Sequence, residues 1–122
     1  MAVGVITRQK EGQKTPTRTF SKKQETDIAK AVGGMRTKNS GATLFQKGDV
    51  LTKKFLLEAK TKTKPSDSIK INKDWFQKNI EECLLMGKPY SAIVFNFGPG
   101  EKNHYIIDED LFIRLCEVLE NE

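Results

Sequence analysis

The sequence predicts an α/β (α+β) fold, a sheet with helices packed on it, in a single domain spanning residues 20–122 behind a basic N-terminal arm of residues 1–19. Three observations carry this expectation. Apolar residues recur at helical spacing in three segments, short apolar or alternating runs lie between those segments, and 122 residues leave room for one core. Hydrophobic residues at 37% and charged residues at 30% are too apolar a balance for wholesale disorder.

Residues 1–19 hold four cations, one anion and Pro16, with no sustained apolar period, and read as a mobile arm. Ser21-Lys22-Lys23-Gln24 matches a capping box, in which a hydroxyl and an amide satisfy orphan backbone amides, so the first helix is expected from there to Val32. Ile28, Ala29 and Val32 form its apolar stripe and Gly33-Gly34 ends it. Glu25 stands one turn before Ala29, which places a carboxylate at the edge of the buried side.

After a polar loop, RTKNSG, Ala42 to Phe45 reads as a short strand and Gln46-Lys47-Gly48 as a turn. Asp49–Thr52 and Phe55–Thr61 read as a hairpin joined through Lys53-Lys54. Side chains alternate along a strand, so Phe55, Leu57 and Ala59 share one face while Leu56, Glu58 and Lys60 project together from the other. A basic, Pro-containing loop from Lys62 to Ser68 leads to Asn72, a candidate cap for a second helix over Lys73–Met86, with Trp75, Phe76, Ile80, Cys83 and Leu84 inward and Gly87 at its end. Tyr90–Phe97 has the apolar run of a central strand, Gly98-Pro99-Gly100 turns the chain, and His104–Ile107 is another strand. A last helix, Asp108–Leu119, carries the stripe Leu111, Phe112, Leu115 and Leu119.

No apolar run reaches the roughly 18 to 20 residues that span a bilayer, and the first 20 residues lack a signal peptide's apolar stretch, so a cytoplasmic protein with no membrane partner is expected. Cys83 and Cys116 are far apart, have no His or Cys partner at zinc spacing, and read as core or near-core thiols. With His104 as the single histidine, mechanisms built on a His pair or a Cys/His site are poorly supplied. The net charge of +5 divides unevenly: residues 1–64 carry fifteen Lys/Arg against five Asp/Glu, and residues 65–122 six against eleven. Clustered cations release counterions when they meet phosphates, so the implied partner is nucleic acid, the alternative being a solvated Lys-rich surface.

Hydrolysis of a phosphodiester requires shielding of the phosphate, activation of a water and stabilisation of a leaving alkoxide, and a divalent cation supplies all three. Magnesium takes oxygen ligands from one or two carboxylates and keeps several waters, with manganese as an alternative ion. Asp49 on one hairpin strand and Glu58 on the next can converge on such an ion, with the Ala59 main-chain carbonyl as a further ligand. The Lys60 ammonium, projecting beside Glu58, can orient or help deprotonate the attacking water. Lys38 in the RTKNSG loop, Lys47 in the turn, and Lys62, Lys64, Lys70 and Lys73 after the strand read as phosphate contacts, since Lys suits phosphate as a point charge.

Gly48-Asp49, eight intervening residues and Glu58-Ala59-Lys60 on an apolar strand resemble the PD-(D/E)XK signature of the restriction-endonuclease-like nucleases, with Gly48 where the motif's name has Pro. Within that superfamily the arrangement is most similar to archaeal-type Holliday junction resolvases and their phage relatives, over about Ser21 to Phe97. The resemblance implies a central mixed five-stranded sheet flanked by helices, magnesium-dependent cleavage of branched DNA and a homodimer. It further implies Glu25 acting through a metal-bound water, Asp49 and Glu58 as direct metal ligands, Lys60 as the catalytic lysine, Ser40 near the scissile phosphate and, more loosely, Gln77 as a DNA contact. For a phage chain the location would be the host cytoplasm.

Blander readings stand beside these. Glu58 and Lys60 can form a surface ion pair on an edge strand. Trp75 and Phe76 can stack on bases but have core spacing with Ile80, and His104 reads as a strand residue rather than a ligand. The rival functions are a less structure-selective phage or repair nuclease and a non-catalytic DNA-binding module.

Overall fold

The computed structural model describes residues 16–37 and 49–122. Along the chain run α1 (Pro16–Val32), β1 (Met35–Arg36), β2 (Asp49–Leu51), β3 (Phe55–Lys60), α2 (Lys73–Leu85), β4 (Tyr90–Phe95), β5 (His104–Ile106) and α3 (Glu109–Glu120). The strands form one five-stranded mixed sheet in the order β1-β2-β3-β4-β5. β3 and β4 are parallel and the other pairs antiparallel. A parallel pair needs a crossover, and α2 provides it. The expected sheet with flanking helices is therefore present, and no helix among the described residues is long and apolar enough to cross a membrane.

The β2–β3 hairpin closes through Thr52, whose amide donates to the Phe55 carbonyl at 3.0 Å. The Thr52 hydroxyl oxygen accepts from the Phe55 amide at 2.9 Å. Lys88, just before β4, donates its ammonium to the carbonyls of Thr52 (2.8 Å) and Lys53 (3.2 Å), tying the turn to the end of the crossover. Strand alternation gives the sheet two unlike faces. Val50, Leu57, Ala92 and Val94 pack on Ile28 of α1, with Ala29, Phe55, Ala59 and Ile107 around them. Glu58, one residue from Leu57, projects to the other face, as the sequence predicts.

At the C-terminal end of α1, Gly33 has φ +71°, a left-handed conformation that glycine adopts without strain. The chain then passes so close to β2 that a Cβ on Gly34 would lie 2.6 Å from the Leu51 carbonyl oxygen.

The boundaries correct the sequence reading in several places. α1 begins at Pro16, inside the segment read as an arm, because proline's fixed φ suits a first helical turn whose amides lack acceptors. Ser21 therefore lies within the helix, and its hydroxyl donates to the Glu25 carboxylate (2.7 Å) instead of capping. Asn72 stands at the start of α2 but makes no side-chain cap. Arg36, read as the start of a loop, pairs with Val50, and Met35 with Leu51, as the sheet's outer strand. The strand expected at Ala42–Phe45 lies outside the described residues, as do Lys38, Ser40, Lys47 and most of the arm.

The largest correction concerns α2. Its buried residues are Asn79, Glu82 and Cys83, whereas Ile80 and Leu84, expected inward, are 51% and 74% exposed. Asn79, Glu82 and Cys83 form one helical stripe, and that polar stripe faces the part of the sheet that carries Asp49 and Glu58. On α3, Asp108, read as the first residue of the helix, is its cap instead, its carboxylate accepting from the Leu111 amide at 2.9 Å. Leu111 is the helix's one buried residue; Phe112, Leu115 and Leu119 are exposed.

Candidate metal centre

β2 and β3 pair with Asp49 directly opposite Glu58, so the two carboxylates leave the sheet on one face. α2 lays Glu82 over them. Among the described residues, Asp49, Glu58 and Glu82 form the group of acids whose oxygens all lie within 4.8 Å of one another. All three are buried, at 0%, 2% and 7% exposure. Two opposite ligands of a magnesium ion are roughly 4.2 Å apart, so the spacing needs little adjustment to enclose one cation. The Glu58 Oε1 and Glu82 Oε1 atoms have no hydrogen-bond partner among the described residues. Buried carboxylate oxygens without donors are costly unless they coordinate a cation, and this donor set fits a hard divalent ion.

Lys60 meets the cluster from the same strand, its Nζ 2.6 Å from Glu58 Oε2. The ammonium also lies over the Trp75 ring, 4.7 Å from its centroid, so both an acid and a π face hold it. Trp75, expected inward, is partly buried and turns a ring face to the lysine. β3 is the middle strand of five and Glu58 is buried, which overturns the reading of Glu58 and Lys60 as a surface pair on an edge strand.

The main chain at Lys60 is fixed from α1. Gln24, itself buried, donates to the Lys60 carbonyl at 3.2 Å and to Asn103 Oδ1 at 3.3 Å, and accepts from the Thr61 hydroxyl at 2.8 Å. Asn96 donates to the same Asn103 oxygen (3.3 Å), so the end of β3, α1 and the β4–β5 connection share one polar network. Read from sequence as a capping residue, Gln24 instead supports the site.

Glu25 does not join the acidic group. Its carboxylate accepts from Ser21 Oγ at 2.7 Å and from Arg36 Nε at 3.2 Å, and α1 packs on the opposite, apolar face of the sheet. Ala59 sits between Glu58 and Lys60 with its side chain toward α1. Lys62 is half-buried; Lys64, Lys70 and Lys73 are exposed along the loop from Lys60 to α2, and Gln77 is exposed on α2 away from the Glu82 stripe. His104 is a strand residue, its ring 5.4 Å from Phe95 and 5.6 Å from Phe97.

Sequence reasoning missed Glu82. Its burial, with the Glu58 carboxylate adding to the effect, holds the Glu82 carboxyl above the ordinary carboxylate range, against the pull of Lys78 and Lys60. The available signal was Glu81-Glu82 interrupting the apolar run of α2, with Glu82 on the helical stripe of Asn79 and Cys83. No protein-family model, no curated protein and no solved structure matches this chain, so the reading of the site stands on its geometry and its residues.

Proposed function

We propose that this protein is a magnesium-dependent DNA endonuclease of the restriction-endonuclease-like kind, cutting branched DNA such as a four-way junction as a homodimer. The observation that carries the reading is the juxtaposition of Asp49 and Glu58 across β2 and β3, with the Lys60 ammonium 2.6 Å from Glu58. Two buried acids and a fixed amine on one strand pair are the groups that phosphodiester hydrolysis asks for.

In this mechanism Asp49 and Glu58 would hold the cation, with the Ala59 carbonyl as a further ligand. A bound divalent ion shields the phosphate and lowers the pKa of a water. Lys60, held by Glu58 and Trp75, orients the attacking water and offsets charge that develops on the phosphate. Gln24 keeps the Lys60 main chain in register. Lys62, Lys64, Lys70 and Lys73 contact flanking phosphates, which fix the position of the DNA without reading its sequence.

A homodimer supplies two sites for opposing strands of a junction. It is supported by the apolar side chains left exposed on two helices, Leu84 and Leu85 on α2 and Phe112, Leu115 and Leu119 on α3.

The test is a cleavage assay on four-way, forked and linear duplex DNA, with and without magnesium, using the unaltered protein and the Asp49→Ala and Glu58→Ala variants. The proposal expects paired symmetric nicks in the four-way substrate, dependent on magnesium and lost in both variants while DNA binding survives. Equal cutting of linear duplex removes the junction preference in favour of a less selective nuclease. Binding without cleavage by the unaltered protein makes it a DNA-binding module, and cleavage that persists in both variants removes the site assignment.

A further inference from the structure

We infer that Glu82 is the third direct carboxylate ligand of the divalent cation, so that the ion joins β2, β3 and α2 and the first-helix acid Glu25 takes no part in holding it. The inference rests on the metal-centre reading of Asp49 and Glu58 and adds to it a residue that neither the motif nor its spacing indicates.

Position is the first argument. Glu82 offers a carboxylate oxygen within 4.8 Å of those of both Asp49 and Glu58, whereas Glu25 is outside that group. Engagement is the second. Both Glu25 oxygens are already occupied, one by Ser21 and the other by Arg36. Among the described residues, Glu82 Oε1, in a side chain only 7% exposed, has no hydrogen-bond donor, and neither has Glu58 Oε1. A buried carboxylate placed against another without a donor between them is relieved by a proton on one of them or by a cation in the gap.

Charge is the third argument. Glu58 and Glu82 bring like charges into close approach, and a divalent cation between them turns that repulsion into attraction. Mechanical consequences follow from the element that carries Glu82. α2 reaches the sheet beside β3 and β4, and two of its three buried residues, Asn79 and Glu82, are polar. A ligand from α2 makes the cation a clamp between helix and sheet, close to Trp75, which supports Lys60.

The experiment is calorimetric titration of the full chain with Mn2+ in the absence of DNA, for the unaltered protein and for Asp49→Asn, Glu82→Gln and Glu25→Gln. Removing a direct ligand costs at least what losing a supporting residue around a metal costs, on the order of tenfold in affinity. Asp49→Asn and Glu82→Gln should each weaken Mn2+ binding by about tenfold or more, and Glu25→Gln by less than about threefold. Without metal, Glu82→Gln should melt no lower than the unaltered protein, since it removes one of the mutually repelling buried charges; a structural role for Glu82 would lower that melting point. Hydrogen exchange on the unaltered protein supplies the readout that needs no variant: Mn2+ should slow exchange in residues 79–85 of α2.

Glu82→Gln binding as tightly as the unaltered protein while Asp49→Asn loses the ion would overturn the role of Glu82 and leave the Asp49–Glu58 site standing. Unchanged exchange over α2 on saturation would overturn it equally. If the unaltered protein bound no Mn2+, the metal-centre reading itself would fail, and this inference with it.

Discussion

Val50 and Asp49 are neighbours on β2, Leu57 and Glu58 on β3, and all four are buried. Val50 and Leu57 meet Ile28 of α1 across an apolar layer, while Asp49 and Glu58 meet Glu82 of α2 in a cluster of like charge. The same strands therefore serve two ends through the alternation of their side chains. The α1 face contributes stability by removing apolar area from water. The α2 face withholds stability, keeping Glu58 and Glu82 buried with one oxygen each that has no donor among the described residues. A face that is costly without a cation and near an anchored lysine is what a metal-dependent hydrolase requires, and the apolar face is what lets the chain tolerate it.

The largest effect that would break this comparison lies in the charged face. Asp49→Ala or Glu58→Ala should lower DNA cleavage by about a thousandfold or more, since a catalytic cation is worth several kcal/mol in the transition state. Measured by single-turnover assay, a loss under about tenfold would mean that the two faces do not divide the work as described.

The mirror experiment is Ile28→Ala on the apolar face. It should lower unfolding free energy by about 2 to 5 kcal/mol in a urea titration, while the rate per folded molecule stays within about twofold. Between the faces, Gln24→Ala removes the amide that holds Lys60 and Thr61, and should lower stability by about 1 to 3 kcal/mol as buried groups lose partners. The smallest effect concerns the thiols. Cys83 donates to the carbonyls of Lys88 (3.0 Å) and Tyr90 (3.3 Å), and burial pushes its thiol above the ordinary range. In the folded protein Cys83 should react with a thiol reagent several-fold more slowly than the less buried Cys116; equal rates would show the α2 side of the sheet to be open to water.

How much of this was legible in the sequence follows from which forces act locally. Strand alternation is a local rule, so the shared face of Glu58 and Lys60, and with it the pairing with Asp49, could be read from residue spacing. Turn residues are local too: Gly33 and the Lys53-Lys54 break mark their boundaries correctly. The orientation of α2 is not local. Its sequence offers an apolar stripe through Phe76, Ile80 and Leu84 next to a mixed one through Asn79, Glu82 and Cys83, and periodicity favours the first. The second is buried because it faces a charged region formed by strands more than twenty residues away in sequence. That long-range match hid Glu82. Gln24 was hidden in the same way, since its partners Lys60 and Asn103 come together only in the folded chain.

The central claim, that buried acids of β2 and β3 form a cation site, is tested most directly by thermal unfolding with and without magnesium. At a magnesium concentration a hundred times the dissociation constant, binding adds about 2.7 kcal/mol of stability, a rise in Tm on the order of 10 °C for a chain of this size. The unaltered protein should show that rise and Asp49→Asn should not. An unaltered protein whose Tm ignores magnesium, and manganese as well, would contradict the account.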